Sequence, residues 1–159
     1  PMVYLADEPG FMAGPDQQAK GIVRAGAKIL CTTLRTQMPW VTVVIRQLYG
    51  VAGQCHERPS GMFKRTAWPS GHWGSMHISG GVSAAYRRDI DESDDPEATK
   101  REIEAKLDAL ASPFKTAESF NIEDIMDPRD TRPMLCEFIE MAQPIIKTQL
   151  GPTSTPYMP

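Results

Sequence analysis

The sequence predicts an α/β fold built on a parallel sheet, and three observations carry that prediction. Two short, nearly continuous apolar runs of strand length, M-V-Y-L-A from Met2 to Ala6 and V-T-V-V-I from Val41 to Ile45, show little of the alternation expected of a half-exposed strand. That is the pattern of strands covered on both faces. Between them, apolar or small residues recur near a 3.6-residue period at Ile22, Val23, Gly26, Ala27, Ile29, Leu30 and Leu34, the mark of an amphipathic helix. Strand, helix, strand in that order is the βαβ unit.

Each element has its punctuation. Asp7-Glu8-Pro9-Gly10 closes the first strand in a turn, Pro15-Asp16 opens a helix expected from Asp16 to about Gln37, and Pro39 stops it. After Tyr49 comes a glycine-bearing loop, Gly50 to Gly53, then an irregular stretch rich in Pro, Gly and aromatic residues up to Gly74. Ser75 to Ser79 reads as a third strand, and Gly80-Gly81 opens a short helix through Arg87. The acidic run 89–97 is a solvated linker, and Glu97 to Ala111 is a helix with Ile103, Leu107 and Leu110 at i, i+4, i+7. In N-I-E-D-I-M-D-P-R-D-T-R, residues 121–132, Ile122 and Ile125 bury while Glu123, Asp124 and Asp127 face water. Pro128 stops that segment, Asp130 or Thr131 caps a new helix, and Pro133 is tolerated in its first turn. The final helix runs from Met134 to Ala142 with Leu135, Phe138, Ile139 and Ala142 on one stripe, and Pro144 kinks or ends it. A disordered tail is predicted over 151–159.

Composition narrows the function classes. With 159 residues, 41% hydrophobic and 23% charged, the chain has the make-up of one soluble domain over residues 1–150. A net charge of -3 argues against a duplex nucleic-acid partner, which calls for a clustered basic face. The longest apolar stretch, Trp40 to Ile45, is too short to span a bilayer, and no signal-peptide pattern opens the chain. A cytoplasmic or mitochondrial-matrix protein is expected, without membrane or nucleic-acid partners. The start at Pro1 suggests a fragment of a longer polypeptide. Cys31, Cys55 and Cys136 are odd in number and lack a C-x-x-C pair, so free thiols are expected. Cys55-His56-Glu57 lie too close together in the chain to wrap an ion, and no metal site is expected. His77 reads as a partly buried strand histidine, His56 and His72 as loop residues, and Trp40, Trp68 and Trp73 as core or interface. No phosphate-binding P-loop, dinucleotide fingerprint or nucleophile triad is present.

Four stretches carry a more specific signal: the 121–132 string; D-E-P-G-F-M-A-G (Asp7 to Gly14) with G-I-V-R-A-G-A-K (Gly21 to Lys28); R-Q-L-Y-G-V-A-G-Q (Arg46 to Gln54); and Trp68-Pro69 with S-M-H-I-S-G-G (Ser75 to Gly81). Together they resemble the carboxyltransferase beta subunits of biotin-dependent acyl-CoA carboxylases, of the propionyl-CoA and methylcrotonyl-CoA carboxylase type. The resemblance implies a crotonase-like ββα superhelix, here an incomplete later part of the C-terminal, biotin-side domain. It implies transfer of a carboxyl group from carboxybiotin to the alpha carbon of an acyl-CoA. The backbone amides of Val51, Ala52 and Gly53 would then stabilise the biotin oxyanion, and Gly10, Phe11, Gly14 and Gly50 would contact the cofactor. Biotin would arrive on a biotin carboxyl carrier linked to a biotin carboxylase, and the subunit would form a homo-oligomer, a trimer or hexamer.

Departures from that pattern are visible. Val51 stands where many relatives have a second glycine, and the following loop is about one residue short. Taken by themselves, the Gly10 and Gly50 segments also fit tight turns and close helix packing with no ligand. Two other readings stay open: a biotin-dependent acyl-CoA decarboxylase subunit, which runs the same transfer in reverse, and a non-catalytic assembly subunit of the same fold.

Overall fold

The computed structural model describes residues 1–56 and 59–151. Its strands are β1 (Met2–Glu8), β2 (Trp40–Tyr49), β3 (Phe63–Ala67), β4 (His72–Gly74) and β5 (Asp124–Ile125). Among the described residues they form one parallel sheet in the order β1-β2-β3-β5, with β4 beside the C-terminal end of β2. Parallel pairing forces each connection to cross back over the sheet, which is why helical segments lie between the strands. Register sets the layers. Tyr4 pairs with Thr42 and Thr42 with Arg65, while Ala6 pairs with Val44 and Val44 with Ala67, so these six side chains share one face. On that face Ala6, Val44, Leu48, Ala67 and Ile122 form the core cluster, flanked by Tyr4, Trp73, Ala117 and Ile125.

β2 is the central strand, and it behaves as its apolar run predicts. Trp40 through Val44 are all buried, Val41 and Val43 on the opposite face included. β1 departs from the expectation of a strand covered on both faces. It lies at the edge of the described sheet, and Val3 and Leu5, which point away from the core cluster, are exposed.

The helices are α1 (Pro15–Ala19), α2 (Ile22–Arg35), α3 (Gly50–Gln54), α4 (Ile78–Ala85), α5 (Arg87–Asp91), α6 (Pro96–Leu110), α7 (Pro113–Glu118) and α8 (Thr131–Thr148). Several correct the sequence reading. The helix expected from Asp16 to Gln37 is two helices, because Gly21 takes φ +80 and resets the chain direction. Its apolar stripe is only partly used: Gly26 and Thr33 are buried, but Val23, Ile29 and Leu34 are exposed. Ser75 to Ser79 is not a strand; His77 is the N-cap of α4, and the strands of that region are β3 and β4. The acidic run is partly helical, since α5 reaches Asp91 and Asp95 caps α6 by accepting the Ala98 N–H. α6 matches its predicted range, although Ile103 and Leu107 are half-buried and Leu110 is exposed.

Around residues 121–132 the burial pattern agrees with expectation: Ile122 is buried, Ile125 half-buried, Glu123 and Asp124 exposed. Asp130 is the N-cap of α8, as expected, but its side chain makes no capping bond; Asp127 accepts the Arg129 N–H and starts a 3-10 turn at Pro128–Asp130 that leads into the helix. α8 runs through Pro144 to Thr148 without ending there. Phe138 and Ala142 are its buried positions, and the helix packs against β2. The expected tail lies, apart from Gly151, outside the described residues, as does Glu57. Cys31, Cys55 and Cys136 are free thiols, with Cys55 alone buried.

Candidate functional site

In open parallel sheets ligands bind in the crevice beyond the carboxyl ends of the strands, and here the sequence-singled segments converge at that end. β1 finishes at Glu8, and its register with β2 slips between Ala6 and Glu8. Asp7 is held there by Arg46, accepting from its Nε at 3.2 Å and its Nη2 at 3.1 Å, and by the Gln47 backbone N–H at 3.2 Å. The Arg46 guanidinium keeps the Asp7 carboxyl below the usual carboxylate range.

Beyond this clamp the chain turns at Gly10, with φ +116, close enough to β2 that a Cβ there would stand 3.8 Å from the Tyr49 carbonyl oxygen. Tyr49 ends β2 and is the N-cap of α3 in an extended conformation. Gly50, at φ +62, swings the chain into the helix, and a Cβ on it would lie 3.2 Å from the Ser75 carbonyl oxygen. A Cβ on Gly74 would press on the Tyr49 ring at 2.8 Å. Gly10 and Gly74 thus lie against one buried tyrosine, whose phenol is pushed up in pKa by burial and then by the charge of Asp108. His77 meets its ring edge-on, at 5.9 Å between centroids. The glycine loop expected over Gly50–Gly53 is therefore the helix α3, and His77 is exposed at the start of α4 instead of half-buried in a strand.

Two hollows lie near the carboxyl end of β2. One of about 260 Å³ is lined by Leu48, Gly50, Gly53, Arg65, Trp73 and Ser75, among others. The other, an open groove of about 520 Å³, includes Arg46, Tyr49, His72, His77, Glu104 and Asp108. No group of three or more metal-ligating side chains gathers among the described residues.

The first turn of an α-helix has amide N–H groups with no carbonyl four residues back. In α3 these belong to Gly50, Val51 and Ala52, and Gly53 is the first with a carbonyl in that position, that of Tyr49. Gly53 has a packing reason to be glycine, because a Cβ there would sit 3.0 Å from Leu48 Cγ and 3.1 Å from its carbonyl carbon. Gly10 and Gly50 are thus brought together beside Val51 and Ala52. The other two residues of the expected set contact different parts: the Phe11 ring fills the space where Gly26 of α2 would carry a side chain, and Gly14, at φ +119, is the N-cap of α1.

A second cluster lies at the same end of the sheet, and the sequence had pointed to none of it. The Tyr4 hydroxyl donates to Glu8 Oε1 at 2.5 Å, and His56 Nε2 lies 2.9 Å from that same oxygen. The Tyr4 and His56 rings stack with centroids 3.7 Å apart. His56 is 6% exposed, and its Nδ1 is buried without a hydrogen-bond partner among the described residues. Burial pushes the Tyr4 phenol up to about 12, with Glu8 adding to the shift. Burial also lowers the His56 pKa and outweighs the opposing pull of Glu8, while it raises the Cys55 thiol.

The parallel α/β sheet with the start of α3 at its carboxyl end is of the crotonase-like kind found in carboxyltransferase domains, and comparison with known proteins gives the family. Residues 1–149 match the model of the carboxyl transferase domain, and the chain belongs to that family. It is 36% identical over 144 residues to the methylmalonyl-CoA carboxyltransferase 12S subunit of Propionibacterium freudenreichii subsp. shermanii, covering 89% of this chain and 27% of that protein. It is 33% identical over 151 residues to the propionyl-CoA carboxylase carboxyltransferase subunit of Haloferax mediterranei, covering 94% and 29%. A solved transcarboxylase 12S structure, a hexamer with methylmalonyl-coenzyme A and methylmalonic acid bound, superposes with a TM-score of 0.76 at 30% identity, over 98% of this chain and 29% of that one. The chain thus spans a little over a quarter of the length of these relatives.

Proposed function

We propose that this chain forms the biotin-side part of an acyl-CoA carboxyltransferase. The observation that carries the reading is the start of α3: it opens at the carboxyl end of β2, with Gly10 beside the Tyr49 carbonyl and Gly50 at positive φ leading into its first amides. Bound there on a carrier protein, carboxybiotin would supply the carboxyl group, and the α3 amides would face the negative charge that collects on its ureido oxygen. The residues present fit that need, because the Val51 and Ala52 N–H groups lie in the first turn, fixed by the helix that follows. Fixed amide dipoles stabilise such charge without reorganising during the reaction. Val51 in place of a second glycine leaves its amide intact, and its side chain is about half exposed. Gly53 contributes to the pair by holding α3 against Leu48. Gly10 and Gly50 shape the wall, while Phe11 and Gly14 support the entry to α1 and α2.

The substrate is an acyl-CoA, bound mostly by parts of the protein outside this stretch. The partners are a biotin carboxyl carrier with its carboxylase, and further copies of the same subunit in a trimer or hexamer. The compartment is the cytosol or the mitochondrial matrix; no helix among the described residues is long and apolar enough to cross a membrane.

The test is Val51→Pro and Ala52→Pro in the complete enzyme. Proline is tolerated in the first turn of a helix and deletes one N–H. Loss of a true donor lowers the transfer rate by about 10² to 10³, roughly 3–4 kcal/mol. Normal transfer by both folded variants places the oxyanion site elsewhere.

A further inference from the structure

We propose that Glu8 and His56 are positioning residues for the α3 amides: one carboxylate oxygen ties the end of β1 to the turn that closes α3, and a second proton on His56 strains the tie by putting an unpaired N–H into the buried site. The proposal rests on the carboxyltransferase reading above. Glu8 Oε1 accepts the Tyr4 hydroxyl at 2.5 Å and faces His56 Nε2 at 2.9 Å. His56 follows directly on Cys55, whose N–H closes α3 on the Val51 and Ala52 carbonyls at 3.1 Å each. Moving His56 therefore pulls on the peptide units that carry the Ala52 and Gly53 N–H groups, the first of them a proposed donor. On the other side, Glu8 precedes Pro9 and Gly10, and Gly10 runs beside the Tyr49 carbonyl that heads α3. One oxygen thus sets the distance between the two walls of the crevice.

The protonation state follows from the contacts. A carboxylate only accepts, so Nε2 carries the proton and Nδ1 is left bare in the neutral ring. A second proton would go onto Nδ1, which is buried and has no acceptor among the described residues, and an unpaired buried N–H is costly. Among the described residues, the groups facing the ring are Tyr4 and Glu8 from β1, Arg65 from β3 and Cys55 from its own turn. Glu8 favours the charged ring and Arg65 opposes it, while burial opposes it most. Burial therefore holds the imidazole neutral more firmly than in an ordinary histidine, and a proton taken up as pH falls keeps the Nε2–H bond to Glu8 but leaves the new Nδ1–H unpaired, which strains the tie.

The experiment has a structural and a kinetic arm. Isotope labels on histidine, valine and alanine in the full chain report the His56 ring and the Val51 and Ala52 amides together. Expected are the Nε2–H tautomer at pH 7, and amide shifts at 51 and 52 that move with the His56 titration and stop doing so in Glu8→Ala. Amides that ignore the titration, or an Nδ1–H tautomer, overturn the proposal whatever the activity. In the complete enzyme, Glu8→Ala lowers kcat by about 10- to 100-fold and leaves KM for the acyl-CoA alone. Glu8→Gln can still accept both contacts, so it loses less, and with the negative charge gone the acid limb of its kcat profile moves to lower pH. A limb that stays in place, or full activity in Glu8→Ala, refutes the tie. Failure of the Val51→Pro and Ala52→Pro test alone, with coupled amide shifts intact, counts against the oxyanion assignment and not against the tie.

Discussion

Gly50 gives the sharpest test of how α3 is set. Replacing it by alanine places a Cβ on a backbone held at φ +62 and puts that carbon 3.2 Å from the Ser75 carbonyl oxygen. The left-handed conformation costs an L-residue roughly 1–2 kcal/mol, and a contact that tight requires the 75–76 bend to give by tenths of an ångström. The expected total is about 1–3 kcal/mol, a fall in Tm of about 2–10 °C for a chain of this size. Gly50→Asn separates the two causes: it meets the same carbonyl but tolerates positive φ, so it should recover the conformational part. Gly80→Ala is the control of opposite sign. Gly80 lies inside α4, and a Cβ added there would have no atom within 4 Å, so alanine should stabilise by about 0.5–1 kcal/mol. Urea unfolding with a common slope reads all three. A Gly50→Ala protein as stable as the parent, alongside a stabilised Gly80→Ala, would refute the claim that the α3 entry requires glycine.

Three other outcomes follow from the described contacts. Phe138, 1% exposed, should cost about 3–5 kcal/mol on truncation to alanine, measured by the same unfolding curves. Pro144 is exposed within α8 and cannot donate to the Glu140 carbonyl, so Pro144→Ala should raise stability by about 1–3 kcal/mol; a lowered Tm would contradict this. Because Tyr4 titrates near 12 in the fold against an ordinary 10.0, folding favours the protonated phenol. That contribution is complete below pH 10 and disappears as pH rises from 10 through about 12, and Tyr4→Phe should remove that limb of the pH–stability curve.

How much was legible depended on the length of each signal. β1, β2, α2 and α6 were legible because continuous or periodic apolar patterns survive over many residues. β3 was hidden by its own chemistry: F-K-R-T-A contains Arg65, buried because its Nε donates to the Asn121 carbonyl at 3.0 Å and its backbone N–H meets the Glu123 carboxylate. A charged residue satisfied by partners so distant in sequence does not announce a central strand. α3, β4 and β5 are too short to show a period, and Ser75–Ser79 alternates like a strand while capping a helix. Family likeness drew attention to Gly10, Gly50, Val51 and Ala52, which the fold brings close together at the carboxyl end of β2. Tyr4, Glu8 and His56 were not legible, since Glu8 and His56 meet across 48 positions and no local pattern joins them.

The core cluster draws on Ala6, Val44, Ala67 and Ile122, residues spread from near the start of the described chain to its last third. Nothing local can complete it. At a synthesis rate of about 5–20 residues per second, the interval between the appearance of Ala6 and of Ile122 is roughly 6–25 s. During that interval β1 and β2 are available to each other, but the layer that closes over Ala67 has not yet been made. Until Ile122 has been made, the Val-rich centre of β2 therefore stays half-covered, and the window for chaperone engagement on this sheet closes only once the segment before α8 has emerged.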